Sequence, residues 1–436
     1  MKNLNIIILA AGKGTRMNST LPKIFQPIAG KSMVNHILNT VSQLKPNKIF
    51  LVINQSLVKY LPDIDEKTEL VIQKKQNGTA DAIRSCLPKL KNIKGKSLIL
   101  YADIPLIRIK TLKKVIDLKS KRKINLLTFK KEESNSYGKV ILDKQGYISE
   151  IIEQKELKKE IHHTLCNSGI FCCTVDVLNN LVPKINNKNK KKEFYLTDIF
   201  KLAAANKIVT KNIVGYEEEI MGINDKKELA DAEYIVQTNL RDKFLKKGVT
   251  LIDPEAVYFS YDTKIGKDVV IYPNVFIGNN VNIGNGSIIY SFSHLEDCKV
   301  GKSVSIGPYA RLRPDTIIED NSKVGNFVEI KKSKIRRDSK INHLAYVGDS
   351  QVGKNVNIGA GTIICNYDGK NKHQTIIDDG AFIGSNSSLI APIKIGKNSY
   401  VGSGSAISKD VKPDSLAIER TNQIEIKNWS RKIKRK

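Results

Sequence analysis

Lys264–Ile289 reads KIGKDVVIYPNVFIGNNVNIGNGSII, with an aliphatic residue at every sixth position: Ile265, Ile271, Ile277, Ile283 and Ile289. Neither the 3.6-residue period of a helix nor the two-residue period of a strand predicts six. A coil of short parallel strands does, because each hexad supplies one face and turns one corner. Working outward, the period holds from Lys264 to Asp410 in five registers. The first run continues to Leu295, and the second holds Val300, Ile306, Leu312, Ile318, Val324 and Ile330. After short slips come Ile335, Ile341, Val347, then Val352, Ile358, Ile364, and finally Ile377, Ile383, Leu389, Ile395, Val401, Ile407. Glycine follows many of these positions, among them Gly266, Gly278, Gly284, Gly301, Gly307, Gly325 and Gly384, which suits a bend with positive φ or a close backbone approach. The C-terminal half is therefore expected to be a parallel β-helix.

The 436 residues suffice for two or three domains. No apolar run approaches a membrane span, and MKNLNIIILA is too short for a signal peptide. Cys86, Cys166, Cys172, Cys173, Cys298 and Cys365 follow no disulfide or zinc spacing. They read as reduced thiols of a cytoplasmic protein with no membrane span. The formal charge of +28 admits nucleic-acid binding. Against that, the lysines are dispersed and no basic stripe is interleaved with aromatics, so the reading taken is small anionic substrates and no nucleic acid.

Residues 1–224 alternate apolar strands (Ile6–Ala10, Ile49–Ile53, Ser97–Tyr101, Asn125–Phe129) with helical patterns at Lys31–Gln43 and Ala80–Leu87. This predicts an α/β domain with a mostly parallel sheet and its ligand at the carboxyl ends of the strands. Residues 225–247 read as one linker helix, started by Asp225 and Glu228 as a capping box and stopped by Gly248. Residues 248–436 then hold the β-helix and a basic tail, Arg431–Lys436. The hexads break between Ile364 and Ile377 for CNYDGKNKHQTI, an insertion that must leave the coil as a loop.

In the first half, LAAGKGTRM follows directly on the first strand, and Gly12 and Gly14 permit a loop whose amides face phosphate. It is neither a Walker motif nor a dinucleotide fingerprint. Arg16 and Lys23 add two cations. Asp103, in LYADIPL, ends a strand, which is where a carboxylate for a hard metal ion beside substrate phosphates is expected.

Together with QKKQNGTADA, SYGKVI, IIEQKE, CNSGIF, EFYLTDIF and MGIND in this order, these motifs resemble a sugar-1-phosphate nucleotidyltransferase domain. With the hexapeptide half, the chain resembles the bacterial family that combines N-acetylglucosamine-1-phosphate uridylyltransferase with glucosamine-1-phosphate N-acetyltransferase, over about residues 4–429. The resemblance implies an α/β, Rossmann-like nucleotidyltransferase domain joined to a left-handed parallel β-helix. It implies that Leu9, Ala10, Ala11 and Gly12 line the uridine side, that Lys23 meets phosphate, and that Gln73, Gly78 and Thr79 contact uracil. It further implies that Tyr101, Ala102 and Asp103 lie by the ribose and metal, that Gly138, Glu153 and Asn167 hold the sugar, and that Asp103 and Asn224 ligate Mg²⁺. The sequence departs from the family at Ala102, usually Gly, at Ala80–Asp81, commonly Gly-His, and at Lys139, usually Arg.

For the second half, ARLRP, GNFVEIKKS, NHLAYVGD, NIGAGTIICNYDG, IGSN and IERT are the specific signals. The resemblance implies His343 as general base, with Glu329 as its orienting partner, and Arg313, Lys331, Tyr346 and Asn357 at the phosphosugar. It places Ala360, Asn366, Tyr367, Ser385, Ser403 and Arg420 at acetyl-CoA, with Ser403 where Ala is common. It implies a homotrimer through the β-helix, with each acetyl-transfer site shared between subunits. The expected substrates are acetyl-CoA, glucosamine 1-phosphate and UTP. The alternative reading is a nucleotidyltransferase whose β-helix only assembles or regulates.

Overall fold

The computed structural model describes residues 3–61, 66–118, 124–131, 137–156 and 165–433. The chain divides into two compact units, Met1–Val236 and Gln237–Lys436.

The first unit is built on nine strands: β1 (Leu4–Leu9), β2 (Lys48–Ile53), β3 (Thr68–Ile72), β4 (Lys96–Tyr101), β5 (Ile124–Lys130), β6 (Lys139–Leu142), β7 (Ile148–Ile152), β8 (Leu165–Thr174) and β9 (Thr210–Val214). The main path runs β9-β5-β8-β4-β1-β2-β3, with the β6–β7 hairpin joined to β8. Every neighbour pair on that path is parallel except those of β8, which is antiparallel to both β4 and β5. All six residues of β1 are buried, as expected of a strand covered on both faces. Alternation sends Leu4, Ile6 and Ile8 to the layer holding α1 (Met33–Ser42) and the helix Ile109–Ile116. Ile7 and Leu9 turn to the layer holding α2 (Thr79–Leu90).

β1 lies between β2 and β4, with Leu9 opposite both Val52 and Tyr101. Strand order reverses here, and a crevice opens outside the carboxyl ends of strands at such a point. The chain leaving β1 at Ala10 and that leaving β4 at Ala102 therefore emerge side by side, tied by Ala102 N–H to the Leu9 carbonyl at 3.0 Å.

The helix expected at 225–247 spans Lys226–Leu245. Within the first unit, Ala232 is fully buried with Met17, Ile28, Met33 and Ile223. Within the second unit, Gln237 and Arg241 hydrogen-bond to the Phe259 and Val257 carbonyls at 2.7 and 3.1 Å, and Phe244 joins the core.

The second unit is a left-handed coil whose short strands stack into three parallel sheets of 10, 9 and 8 strands, each strand pairing with the third one on until the last pair, Tyr400–Val401 with Leu416–Ala417, where it is the second. The aliphatic hexad positions form one continuous core, with Ile265 half-buried at its edge. The slips of register have a simple cause. Leu295 to Val300, Ile330 to Ile335 and Val347 to Val352 all cross the corner from the second face to the third, and that corner is one residue shorter at those levels. A circuit therefore takes 18 residues (Ile271 opposite Ile289) or 17 (Ile341 opposite Ile358). The circuit that contains the CNYDG excursion takes 25 (Ile358 opposite Ile383), with no loss of pairing on either side.

The hexad glycines answer to only one of the two expectations. Of those named above, only Gly307 has positive φ. At the others the next circuit's backbone approaches closely: a β-carbon at Gly325 would lie 1.8 Å from the Asn342 carbonyl oxygen. The left-handed corner positions fall mostly to Asn and Asp, to Gly286, Gly361, Gly380 and Gly404, to Ser303 and Lys332 and, at the corner between first and second faces, to Phe292, Tyr309, Phe327 and Leu344.

Two candidate anion-handling sites

In the first unit the switch point opens into a cavity of about 560 Å³. Every residue expected at the nucleotide and sugar lines it except Ala102: Leu9, Ala10, Ala11, Gly12, Lys23, Gln73, Gly78, Thr79, Tyr101, Asp103, Gly138, Glu153, Asn167 and Asn224. The methyl of Ala102 is fully buried in the hydrophobic core and does not line the cavity. Lys139 is likewise buried, with its ammonium donating to the Cys166 sulfur at 3.4 Å. All six cysteines are free thiols.

Asp103 and Asn224 come together across 121 residues of chain. Lys23 Nζ donates to Asp103 Oδ2 at 2.5 Å and to Asn224 Oδ1 at 2.8 Å. A single positive charge thus sits between two hard oxygen atoms, and the pair could hold a hard cation at that point. Among the described residues, no group of three or more His, Cys, Asp or Glu could hold a metal, so any ion here relies on these two groups and on its substrate.

At the other end of the cavity, Thr197 donates to Glu153 Oε1 at 2.9 Å, and burial pushes the Glu153 carboxyl above the usual carboxylate range. The Asn167 side chain accepts from Gly169 N–H at 2.8 Å, fixing the turn where β8 shifts register. Gly169 has φ +80, and a β-carbon there would fall 2.6 Å from the Tyr101 ring, so glycine alone leaves Tyr101 its place. Burial pushes the Tyr101 phenol well above its ordinary value.

Sequence reasoning missed several lining residues. Gln76 donates to the Ala11 carbonyl at 2.6 Å and braces the glycine loop. Lys191, from the Lys-rich stretch Lys188 to Lys192, lines the cavity, and its ammonium is the main cause holding Lys155 below the ordinary lysine range. Gln76 lies inside the QKKQNGTADA motif but was given no role there, and Lys191 belongs to no motif; the fold carries both to the crevice.

In the second unit His343 lines a cleft of about 360 Å³ with Tyr309, Asn326 and Phe327. Its Nδ1 lies 2.5 Å from Asn326 Oδ1. An amide oxygen only accepts, so Nδ1 carries the proton and Nε2 presents its lone pair. The expected partner, Glu329, is engaged elsewhere: it lies on the second face opposite Tyr346 and binds Arg313 at 2.6 Å, whereas His343 ends a first-face strand opposite Asn326. The signal missed was spacing, since Asn326 precedes His343 by one 17-residue circuit.

Ala360, Ser385 and Ser403 follow His343 along the same corner on successive circuits, tied by Gly361 N–H to His343, Asn386 N–H to Ala360 and Gly404 N–H to Ser385. Arg420 closes the column by donating to the Ser403 carbonyl at 2.9 Å. Arg313, Lys331 and Tyr346 lie on the second face and Asn357 on the first, and none of the four lines the His343 cleft. Gly348 lets the Tyr346 hydroxyl and Asn366 amide converge, and Asn366 donates to Asp349 at 2.5 Å. Tyr367 is exposed and donates to the Gly369 carbonyl at 2.6 Å. The excursion folds back through a Tyr367–Lys372 bridge. Lys372, then Arg313, hold the Lys331 ammonium below the ordinary lysine range, with Asp349 opposing them, so the three cations lie near one another, Arg313 also paired with Glu329. Lys372 was not anticipated, because its position depends on how the loop folds back.

Among the described residues, no helix is long and apolar enough to cross a membrane. A model of the MobA-like NTP transferase domain matches residues 6–158, one of the GMPPB C-terminal domain matches 294–371, and the bacterial transferase hexapeptide (six repeats) matches 262–296 and 374–409. The chain is 43% identical to the bifunctional protein GlmU of Paramagnetospirillum magneticum, over 99% of this chain and 96% of that protein. It is 40% identical to that of Zymomonas mobilis (100% and 98%) and 39% identical to that of Geotalea uraniireducens (100% of both).

Proposed function

This chain belongs to the bifunctional GlmU family, and from that premise we propose that it makes UDP-N-acetylglucosamine in two separate steps. The second unit transfers acetyl from acetyl-CoA to glucosamine 1-phosphate. The first transfers uridylyl from UTP to the product and releases pyrophosphate. A nucleotidyltransferase with a purely structural β-helix is not favoured.

In the acetyl transfer, the sugar amine attacks the thioester carbonyl. His343 Nε2 takes the amine proton, and the CoA thiolate leaves. The bond that Nδ1–H donates to Asn326 Oδ1 supports this role by keeping the lone pair on Nε2. Arg313, Lys331 and Lys372 receive the sugar phosphate. The CoA arm runs along the corner column from Ala360 to Arg420, with Asn366 and Tyr367 at the excursion.

In the uridylyl transfer, a phosphate oxygen of the N-acetylated sugar phosphate attacks the α-phosphorus of UTP in line, and pyrophosphate leaves. Positioning and charge neutralisation supply the catalysis. Gly138, Glu153 and Asn167 hold the sugar, while Arg16 and Lys23 face the phosphates. Asp103 and Asn224 would hold Mg²⁺, which when bound neutralises phosphate charge. Their two oxygens, spaced to share one ammonium, suit it.

The domains are read as 1–224, a helix over 225–247, and 248–436. The protein is read as cytoplasmic and trimeric. The trimer is supported by an exposed stack of Phe292, Tyr309 and Phe327, with ring centroids 4.8 and 5.0 Å apart, beside the His343 cleft. It is also supported by the separation of the phosphosugar positions from His343 within one chain, which a second copy would repair.

The observation that carries the reading is the convergence of all but one of the expected nucleotide and sugar residues on a single cavity. The test follows CoA release and pyrophosphate release separately. His343→Ala should lose the first and keep the second, and Asp103→Ala the reverse. Loss of both activities in either variant would contradict two independent sites.

A further inference from the structure

We propose that Asp81 is the positioning residue that selects the nucleobase, by fixing the Gln73 amide so that it presents only an acceptor to the base. This inference rests on the reading of the first site as a UTP site. Gln73 lines the cavity, is 5% exposed, and has its backbone N–H bound to the Ile53 carbonyl at 2.8 Å. Its side-chain nitrogen donates to the Gly78 carbonyl at 3.2 Å and to Asp81 Oδ2 at 3.0 Å. A carbonyl and a carboxylate only accept, so the amide has a single compatible orientation. Both Nε2 hydrogens are committed, and Oε1 is the group left to offer.

That polarity distinguishes the pyrimidines. Uracil carries a hydrogen on N3 between two carbonyls, whereas cytosine has a lone pair on N3 and an amine at C4. An acceptor facing N3 pairs with uracil and repels cytosine, and a reversed amide would favour cytosine. The Gly78 carbonyl alone makes the longer of the two contacts, so Asp81 is the stronger of the two ties. Asp81 stands in the first turn of α2, where the helix terminus favours an anion, and the Ala82 N–H to Gly78 bond at 3.3 Å keeps the turn closed beside it. The tie is built from a residue that departs from the family's common Gly-His at this point, so this chain holds the amide by its own means.

The test uses the full chain with N-acetylglucosamine 1-phosphate, Mg²⁺ and either UTP or CTP, reading pyrophosphate release. Asp81→Asn keeps the shape but supplies a donor, which can turn the Gln73 amide around. The ratio of kcat/KM for UTP over CTP should fall by at least about tenfold, with CTP use rising as UTP use falls. Asp81→Ala should lower the ratio less, and Asp81→Glu should restore it to within about threefold of wild type. Melting temperatures accompany each variant; if Asp81→Asn melts early, the Ala and Glu pair decides. Wild-type UTP activity with a ratio unchanged within twofold in the folded variants would overturn the role of Asp81 alone. No pyrophosphate from UTP in wild type would overturn the site reading and this inference with it.

Discussion

Gly325→Ala should remove acetyl transfer while leaving uridylyl transfer intact. The β-carbon it adds would lie 1.8 Å from the Asn342 carbonyl oxygen and 2.6 Å from its carbonyl carbon. Real contacts of this kind stay beyond about 3.0 Å, so something must yield by more than about 1 Å. The obstacle is backbone, and parallel strands sit only about 4.8 Å apart, with no slack between circuits. Both groups that make the base site adjoin the collision. Asn326 follows Gly325, His343 follows Asn342, and the two side chains meet at 2.5 Å. Misplacing a catalytic group by about 1 Å costs roughly 100-fold, or about 2.7 kcal/mol of barrier. The assay is CoA release at saturating acetyl-CoA and sugar phosphate, run beside pyrophosphate release on the same preparation. CoA release within threefold of wild type would refute the reasoning, since it would mean that the circuits can part without moving the base.

Three further outcomes follow from the geometry. Asn326→Ala should lower acetyl transfer by about 10- to 100-fold with little change in either KM, because it removes only what orients the imidazole; an unchanged kcat would sever Asn326 from the base. Lys372→Ala should raise the KM for glucosamine 1-phosphate several-fold and spare that for acetyl-CoA, as expected of one of three cations on a phosphate; steady-state kinetics in both substrates decide it. The third concerns pH. Burial holds His36 below the ordinary histidine value of about 6.5, with its Nε2 facing the Ile28 carbonyl at 2.9 Å. The unfolded chain therefore binds this proton first as pH falls, and the stability present above about 6.5 is lost between that value and the lower folded one. Burial raises Glu153 and Asp198, which act in the opposite sense over the carboxylate range. Melting of the first unit at pH 7 and 5.5 should therefore fall more steeply in wild type than in His36→Gln; equal slopes would count against the histidine.

Most of the coil was legible because each hexad residue has one job, to fill the prism core, and Ile271 through Ile407 do so without competition from chemistry. The slips were visible, but their cause was not, since a corner's length shows only once faces are assigned. In the first half the continuous apolar runs located β1, β2, β4 and β5, because strands covered on both faces need such runs. β3 was missed: Thr68–Ile72 is only partly buried at the sheet edge and carries a weaker pattern. The antiparallel setting of β8 was also invisible, because direction is decided by pairing partners, not by composition. The candidate sites followed the same rule. Motif residues such as Asp103, just past a strand end, and Lys23, in the LPK that follows the glycine loop, were readable from the sequence. Contacts made only by folding were not: Gln76 and Lys372 lie in stretches the sequence singled out, yet their partners, like the place of Lys191, depend on how the loops fold back, and the Asn326 partnership needed the stacking of circuits.

The 25-residue circuit has a further implication. Its walls stand in line with those of its neighbours although it spends seven or eight more residues at one corner than they do. The prism behaves as a shelf whose levels are indexed by the core and whose brackets can be lengthened one at a time. A new recognition loop grafted at a single level would leave every other level at its original height. An ancestral scaffold of this kind could therefore acquire a substrate clamp by local insertion, without first having to survive a shifted register.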